Sequence, residues 1–125
     1  KQNFIHKLLT WAETNQLLKI TDDEISIPSS VRFIADNVAK SIALDLAGLY
    51  HLVPNEFCSR YEWANAVKDR KSLKVQIERA KRADFQLPAQ RPEFSAMSNL
   101  KYYNEIGDEL ISWEKDMIDN FDLIG

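Results

Sequence analysis

Two segments of this 125-residue chain combine residue types and spacing suited to binding chemistry. The denser is KDRKSLKVQIERAKR, residues Lys68 to Arg82, which holds seven of the sixteen positive charges. Against Asp69 and Glu78 that leaves +5 on fifteen residues of a chain whose net charge is −3. A row of Lys and Arg along a helix can follow a phosphate backbone, each contact releasing a counterion. The phosphate contacts expected on this reading are Lys71, Lys74, Arg79, Lys81 and Arg82. Aromatic side chains are scarce within the segment, so contact with a DNA or RNA backbone is expected rather than stacking on bases. Two other readings stand beside it. Residues 105–122 carry seven acidic side chains and one Lys, so an antiparallel neighbour could neutralise the strip, each exposed pair contributing at most about 1 kcal/mol. An acidic protein partner is the other.

The second segment is NEIGDELISWE, which places Glu105, Asp108 and Glu109 at i, i+3 and i+4, with Asp116 further along. Carboxylates so spaced share a helix face and can hold Mg²⁺ through oxygen ligands. The run E-I-G-D-E-L looks like the E-x-x-D helix of all-α nucleotide pyrophosphohydrolases. That resemblance implies Mg²⁺-dependent nucleotide hydrolysis, yet the E-E-x-x-E cluster of that family has no counterpart, Glu56 and Glu62 being too sparse. His6 and His51 are the only imidazoles and Cys58 the only thiol. A Cys–His pair has the right groups for nucleophilic catalysis, but no elbow, orienting third residue or oxyanion donor accompanies it. Packing or capping histidines and an inert buried cysteine are expected. There is no Gly-rich phosphate loop, H-E-x-x-H or EF-hand loop, so no cofactor and no metal are expected. The stretch WAETNQLLKITDDEISI resembles the recognition helix and wing of a winged-helix domain over about 25 residues, which would need two further helices ahead of it.

Residues 3–16 have Phe4, Ile5, Leu8, Leu9 and Ala12 at helical spacing, with Asn3 as N-cap. LLKITDDEISIP reads as a β-hairpin near 18–27 that pairs Ile20 with Ile25 and Leu18 with Ile27. Its rival is a short helix opened by Thr21 and Glu24. Residues 30–53 read as a central helix, capped by Ser29 or Ser30 and stopped by Pro54, with Val31, Ile34, Val38, Ile42, Leu46 and Leu49 along its buried stripe. After Pro54 a helix runs through Phe57, Tyr61, Ala64 and Val67 and either breaks near Asp69 or continues to about Phe85. The 86–98 stretch is a loop, pinned by Phe94 and Met97. A last helix over 99–119 repeats Tyr103, Ile106, Leu110, Trp113 and Met117.

The expected fold is therefore all-α: an irregular bundle of four to five helices forming a single domain over 1–125, whose start at Lys1 rather than Met is read as either a processed form or a domain cut from a longer chain. A lone cysteine and the lack of a long apolar run point to an intracellular, cytoplasmic protein that does not enter a membrane. The function expected is non-enzymatic: a helical module of a larger assembly whose basic helix contacts nucleic acid. The alternative is a protein–protein adaptor or immunity-type protein using its acidic C-terminal helix. The Mg²⁺-dependent hydrolase is the third reading.

Overall fold

Leu17–Thr21 forms a strand, β1, whose side chains alternate: Leu18 and Ile20 are buried while Leu17 and Lys19 face outward. Its partner is not the segment that follows it. The computed structural model, which describes residues 3–86 and 88–124, pairs β1 in parallel with a second strand, Gln76–Ala80, in the register Leu17↔Gln76 to Thr21↔Ala80. A parallel partner has to be reached by a long crossover. The fold is accordingly mixed α/β with a parallel pair, which overturns the all-α bundle. In chain order the elements are α1 (Phe4–Thr14), β1, β2 (Ile25–Ser26), α2 (Val31–Ala43), β3 (Cys58–Ser59), α3 (Arg60–Lys71), β4 (Gln76–Ala80), α4 (Leu100–Ile106) and α5 (Trp113–Asp119). Single 3₁₀ turns occupy Arg82–Asp84 and Phe121–Ile124.

The chain forms two compact units. The first combines Lys1–Ser26 with Cys58–Ser95. In it α1 starts where the Asn3 side chain accepts the His6 backbone N–H, and it buries Ile5 and Leu8. α3 starts with a reciprocal capping box: Ser59 accepts the Glu62 N–H, and the Glu62 carboxylate accepts the Ser59 N–H. Ala64 and Val67 are its fully buried residues, and the helix lies against β1, β3 and β4. The helix stops at Lys71 because Ser72 takes a left-handed backbone conformation, φ 51°. The chain then turns, buries Val75 and enters β4. The continuous 54–85 helix is thereby excluded, and with it the straight helical row of cations. The 18–27 hairpin is corrected as well: β2 pairs antiparallel with β3, Ile25 opposite Ser59 and Ser26 opposite Cys58.

The second unit combines Ile27–Phe57 with Ala96–Leu123. Ser30 caps α2, accepting the Phe33 N–H at 2.9 Å. The expected central helix over 30–53 ends at Ala43, where Asp45 and Gly48 both take positive φ, 51° and 104°. Residues 50–54 run without regular structure, burying Val53 and Pro54. Gly107, φ 67°, divides the expected 99–119 helix into α4 and α5. The core centres on Phe33, Tyr102 and Leu110, with Leu46, Tyr50, Leu52, Ile106 and Ile111 around them. Tyr102 is fully buried and its hydroxyl donates to Asn37, whose side-chain oxygen is 2.9 Å away. The stripe Val31, Ile34, Val38 and Ile42 is exposed, not buried. No helix among the described residues is long and apolar enough to cross a membrane.

Candidate functional site

The basic strip assigned to nucleic-acid contact is dispersed over several elements. Lys71 ends α3, Lys74 lies exposed in the turn before β4, Arg79 is in β4, Lys81 follows that strand and Arg82 opens the 3₁₀ turn. Two of the five share one carboxylate. Asp22, just beyond β1, accepts Lys81 Nζ at 2.7 Å and Arg79 Nη1 at 3.3 Å. The Lys81 ammonium, hydrogen-bonded to Asp22, holds its carboxyl below the usual carboxylate range; burial opposes this and Arg79 reinforces it. Lys81 is raised in return, chiefly by the same hydrogen bond. The Arg79 guanidinium also lies 4.2 Å from the centre of the Tyr61 ring. The neighbouring Asp23 accepts the Arg82 backbone N–H at 2.9 and 3.0 Å through its two oxygens. β1 and β4 thus end in a charged latch, the acids of one loop closing on the bases of the other.

The acidic segment is divided too. Glu105 lies in α4, before Gly107, and Asp108 and Glu109 follow it in the turn to α5. Asp108 pairs with Lys40 of α2, which raises the lysine pKa. Asp119 pairs with Lys115 one turn back. Asp116 is buried, 1% exposed, and accepts the Ser30 N–H and hydroxyl, each at 2.7 Å, and Asn120 Nδ2 at 2.9 Å. It braces the α2 cap. No group of three or more His, Cys, Asp or Glu among the described residues could hold a metal ion, so the helix-borne Mg²⁺ site has no structural counterpart. His6 bonds to its own cap residue Asn3, His51 lies 3.2 Å from the Ser98 carbonyl, and Cys58 is buried in β3.

Two concavities among the described residues differ in charge. A groove of about 620 Å³ in the second unit is lined by Asp36, Asp108, Glu109, Asp116, Asp119 and Asp122 against only Arg32 and Lys40, both paired to acids. That surplus repels an anion. A cleft of about 230 Å³ in the first unit is lined by Glu24, Ile25, Ser26, Arg60, Arg91, Pro92 and Ser95. Its walls are built from β2, the start of α3 and the chain at 91–95. The Ile25 N–H donates to the Glu93 carbonyl at 2.7 Å, and the Ser95 N–H donates back to the Ile25 carbonyl at 2.9 Å. Glu24 is oriented by the Thr21 hydroxyl at 2.7 Å and meets Arg60 Nε at 3.5 Å. Arg60 is further held over the Phe4 ring, 5.3 Å from its centre. Arg91 forms no ion pair with a carboxylate among the described residues. One tethered and one untethered guanidinium beside two serines make a cleft suited to a phosphate group, which a planar guanidinium meets through two parallel hydrogen bonds. Sequence reasoning passed over Arg60 and Arg91 because neither lies in a charge run. The available signal was an arginine before proline, Arg91-Pro92, inside the aperiodic 86–98 segment, since loops on a rigid scaffold carry binding groups.

Residues 1–123 match the protein family described as "RmlD substrate binding domain". The chain is 30% identical over 97 residues to the spore coat polysaccharide biosynthesis protein SpsK of Bacillus subtilis, covering 78% of this chain and 34% of that protein. It is 28% identical over 125 residues to the dTDP-4-dehydrorhamnose reductase of Sinorhizobium fredii, covering 91% and 42% respectively. A dTDP-4-dehydrorhamnose reductase crystal structure from Clostridium acetobutylicum superposes with a TM-score of 0.92 at 25% identity, over 99% of this chain and 44% of that one. The Bacillus anthracis reductase, solved in complex with NADP, shares the fold at a TM-score of 0.86 and 23% identity, over 98% and 43%. The chain therefore spans well under half the length of these relatives. The expectation of a non-enzymatic, nucleic-acid-binding or adaptor module is overturned, because the family is described by a substrate-binding role and relatives matching over nine-tenths of the chain are dTDP-4-dehydrorhamnose reductases.

Proposed function

The chain belongs to the RmlD substrate binding domain family, and from that premise we propose that it forms the sugar-nucleotide-holding part of a reductase acting on a dTDP-linked 4-keto sugar. The observation that carries the reading is the extent of the match, 123 of 125 residues, to a domain described by its substrate role. The reaction class is reduction of a ketone to an alcohol: a hydride is added to the carbonyl carbon and a proton to its oxygen. In this reading a nicotinamide dinucleotide supplies the hydride. The residues present do not fit that cofactor. A dinucleotide turn needs closely spaced glycines at a strand-to-helix junction, and the only glycines here are Gly48, Gly107 and Gly125. No step is therefore assigned through the cofactor to these residues.

The diphosphate of a dTDP-sugar carries the charge that the Arg60–Arg91 cleft lacks a partner for. Glu24 neutralises and orients Arg60, which leaves Arg91 as the cation available to a phosphate oxygen. The larger groove, rich in acids, is disfavoured for the same ligand. A cytoplasmic setting fits this chemistry, since the buried thiol of Cys58 requires no oxidising compartment.

The test is titration of the full-length protein with dTDP, followed by turnover of a dTDP-4-keto sugar with reduced nicotinamide. Arg91→Ala is expected to weaken dTDP binding about tenfold to a hundredfold, the loss of one or two charge-assisted hydrogen bonds. The rise should appear in KM more than in kcat. Unchanged dTDP affinity in the variant removes the cleft from the reading. Absence of any dTDP binding by the unsubstituted protein removes the reading itself.

A further inference from the structure

Glu24 lines the phosphate cleft with only half of its carboxylate engaged. One oxygen, Oε2, accepts the Thr21 hydroxyl at 2.7 Å and lies 3.5 Å from Arg60 Nε. The backbone ties the same two residues a second time, the Arg60 N–H donating to the Glu24 carbonyl at 3.2 Å. The side chain is thereby held in place, and it is only 13% exposed. The other oxygen, Oε1, accepts no hydrogen bond from a described residue, yet it is not sealed in the interior. Ser95, another lining residue, gives its hydroxyl to the Ile25 carbonyl at 3.1 Å instead. The walls keep their spacing, because the Ile25 N–H bonds to the Glu93 carbonyl and the Ser95 N–H to the Ile25 carbonyl. A mostly covered carboxylate oxygen requires donors, since it can only accept, and the open space that Glu24 borders is the cleft.

We propose that Glu24 Oε1 is a specificity-determining acceptor that selects a sugar nucleotide with a free hydroxyl at C2, the carbon next to the one bearing the phosphate. The inference rests on the reading above, that the cleft holds the diphosphate of a dTDP-linked sugar, and it deepens that reading. A carboxylate in the wall does nothing for the phosphate itself, since like charges repel. It does serve a hydroxyl attached close to that phosphate. In a glycosyl diphosphate the C2 hydroxyl is the sugar's nearest donor by bonds, and the deoxyribose hydroxyl on the other side stands one bond further off. With a phosphate oxygen on Arg91, a cleft of about 230 Å³ brings the C2 hydroxyl within the space that Glu24 borders. A hydroxyl–carboxylate hydrogen bond is charge-assisted. A site built to accept one is left with an unpaired acceptor by a deoxy ligand, which is how polar sites reject such analogues. The ketone at C4 lies across the ring from C1, so Glu24 governs which sugar is held and takes no part in the hydride step.

Calorimetric titration of the full-length protein with dTDP, dTDP-glucose and dTDP-2-deoxyglucose tests it. None of the three is a ketone, so turnover does not disturb the affinities. The unsubstituted protein should hold dTDP-glucose about tenfold to a hundredfold tighter than the 2-deoxy ligand, the contribution of one hydrogen bond to a charged group. Glu24→Gln keeps an acceptor of the same shape without the charge and should narrow the preference to about threefold to tenfold. Glu24→Met keeps the length, removes the acceptor and should bring the two ligands within about twofold of each other. The ratio between ligands cancels whatever a substitution does to Arg60 and the diphosphate. Were Glu24 only a brace for Arg60, Glu24→Met would weaken all three ligands together and leave the preference at full size, which overturns the proposal. A preference below about threefold in the unsubstituted protein overturns it too, and that measurement needs no variant to fold. The two readings fail apart. Binding of dTDP without preference for the 2-hydroxyl removes the Glu24 assignment alone, whereas absence of any dTDP binding removes the substrate role and the assignment with it.

Discussion

The β1–β4 latch and the outer face of α2 are opposite cases of the same accounting of groups. At the latch, cations that look surplus in a linear reading are met at close range: Asp22 takes Lys81 and Arg79, and Asp23 takes the Arg82 N–H. On α2, apolar residues that look destined for a core are left exposed among the described residues. Charge patterning overstated what the first region leaves free, and hydrophobic patterning overstated what the second keeps inside. The difference lies in range. A charge can be satisfied by any opposite charge brought near by tertiary folding, whereas an apolar stripe requires a matching surface of similar extent.

The largest expected effect is on the covered side of α2. Phe33→Ala removes a ring from the cluster with Tyr102 and Leu110 and should cost about 3–5 kcal/mol in urea unfolding. A loss below about 1 kcal/mol would mean that Phe33 is not the anchor and that the two faces of the helix are equivalent.

Some of this was legible from sequence. Asn3, and one of Ser29 and Ser30, were identifiable as caps because their side-chain oxygens precede helical periodicity, and Asn3 and Ser30 accept the expected N–H. The strand character of Leu17–Thr21 was visible in Leu18 and Ile20, two residues apart on one face with Lys19 between them. β4 was not. Leu73, Ile77 and Ala80 satisfy helical spacing as well as Val75 and Ile77 satisfy strand alternation, and the local pattern does not choose between them. What decides is Ser72 in a left-handed conformation and a parallel partner, β1, far away in sequence. The hairpin reading failed for the same reason: Ile20 and Ile25 are close in sequence, but each pairs with a distant strand, Ile20 opposite Arg79 and Ile25 opposite Ser59. The candidate cleft was the least legible part, because Glu24, Arg60 and Arg91 come from three separate stretches and neither arginine lies in a motif.

A smaller effect is expected at the latch, and its signature is pH dependence. The folded pKa of Asp22 is depressed, so its contribution to stability is present above the ordinary carboxylate range and is lost as pH falls through the lowered folded value. The folded pKa of Lys81 is raised, so its contribution is complete below the ordinary lysine range and is lost as pH rises through the raised folded value. Between those limits the latch is saturated. Asp22→Asn should therefore lower stability most at neutral pH and converge with the unsubstituted protein in strong acid. Urea midpoints measured from neutral to acidic pH check this. Curves that stay parallel throughout would show that the latch is not an electrostatic feature.

The smallest effect sharpens the comparison most, because the reasoning that made α2 a central helix expects a large one. On the 30–53 reading, Ile42 lies on the buried stripe, and Ile42→Ser would create a cavity and strand a hydroxyl, a loss of several kcal/mol. With its side chain mostly in solvent, the same substitution in these 125 residues should change stability by no more than about 0.5 kcal/mol. Unfolding of the unsubstituted and Ile42→Ser proteins in urea measures it, and a loss of several kcal/mol would return Ile42 to a core that the exposed side chain does not enter.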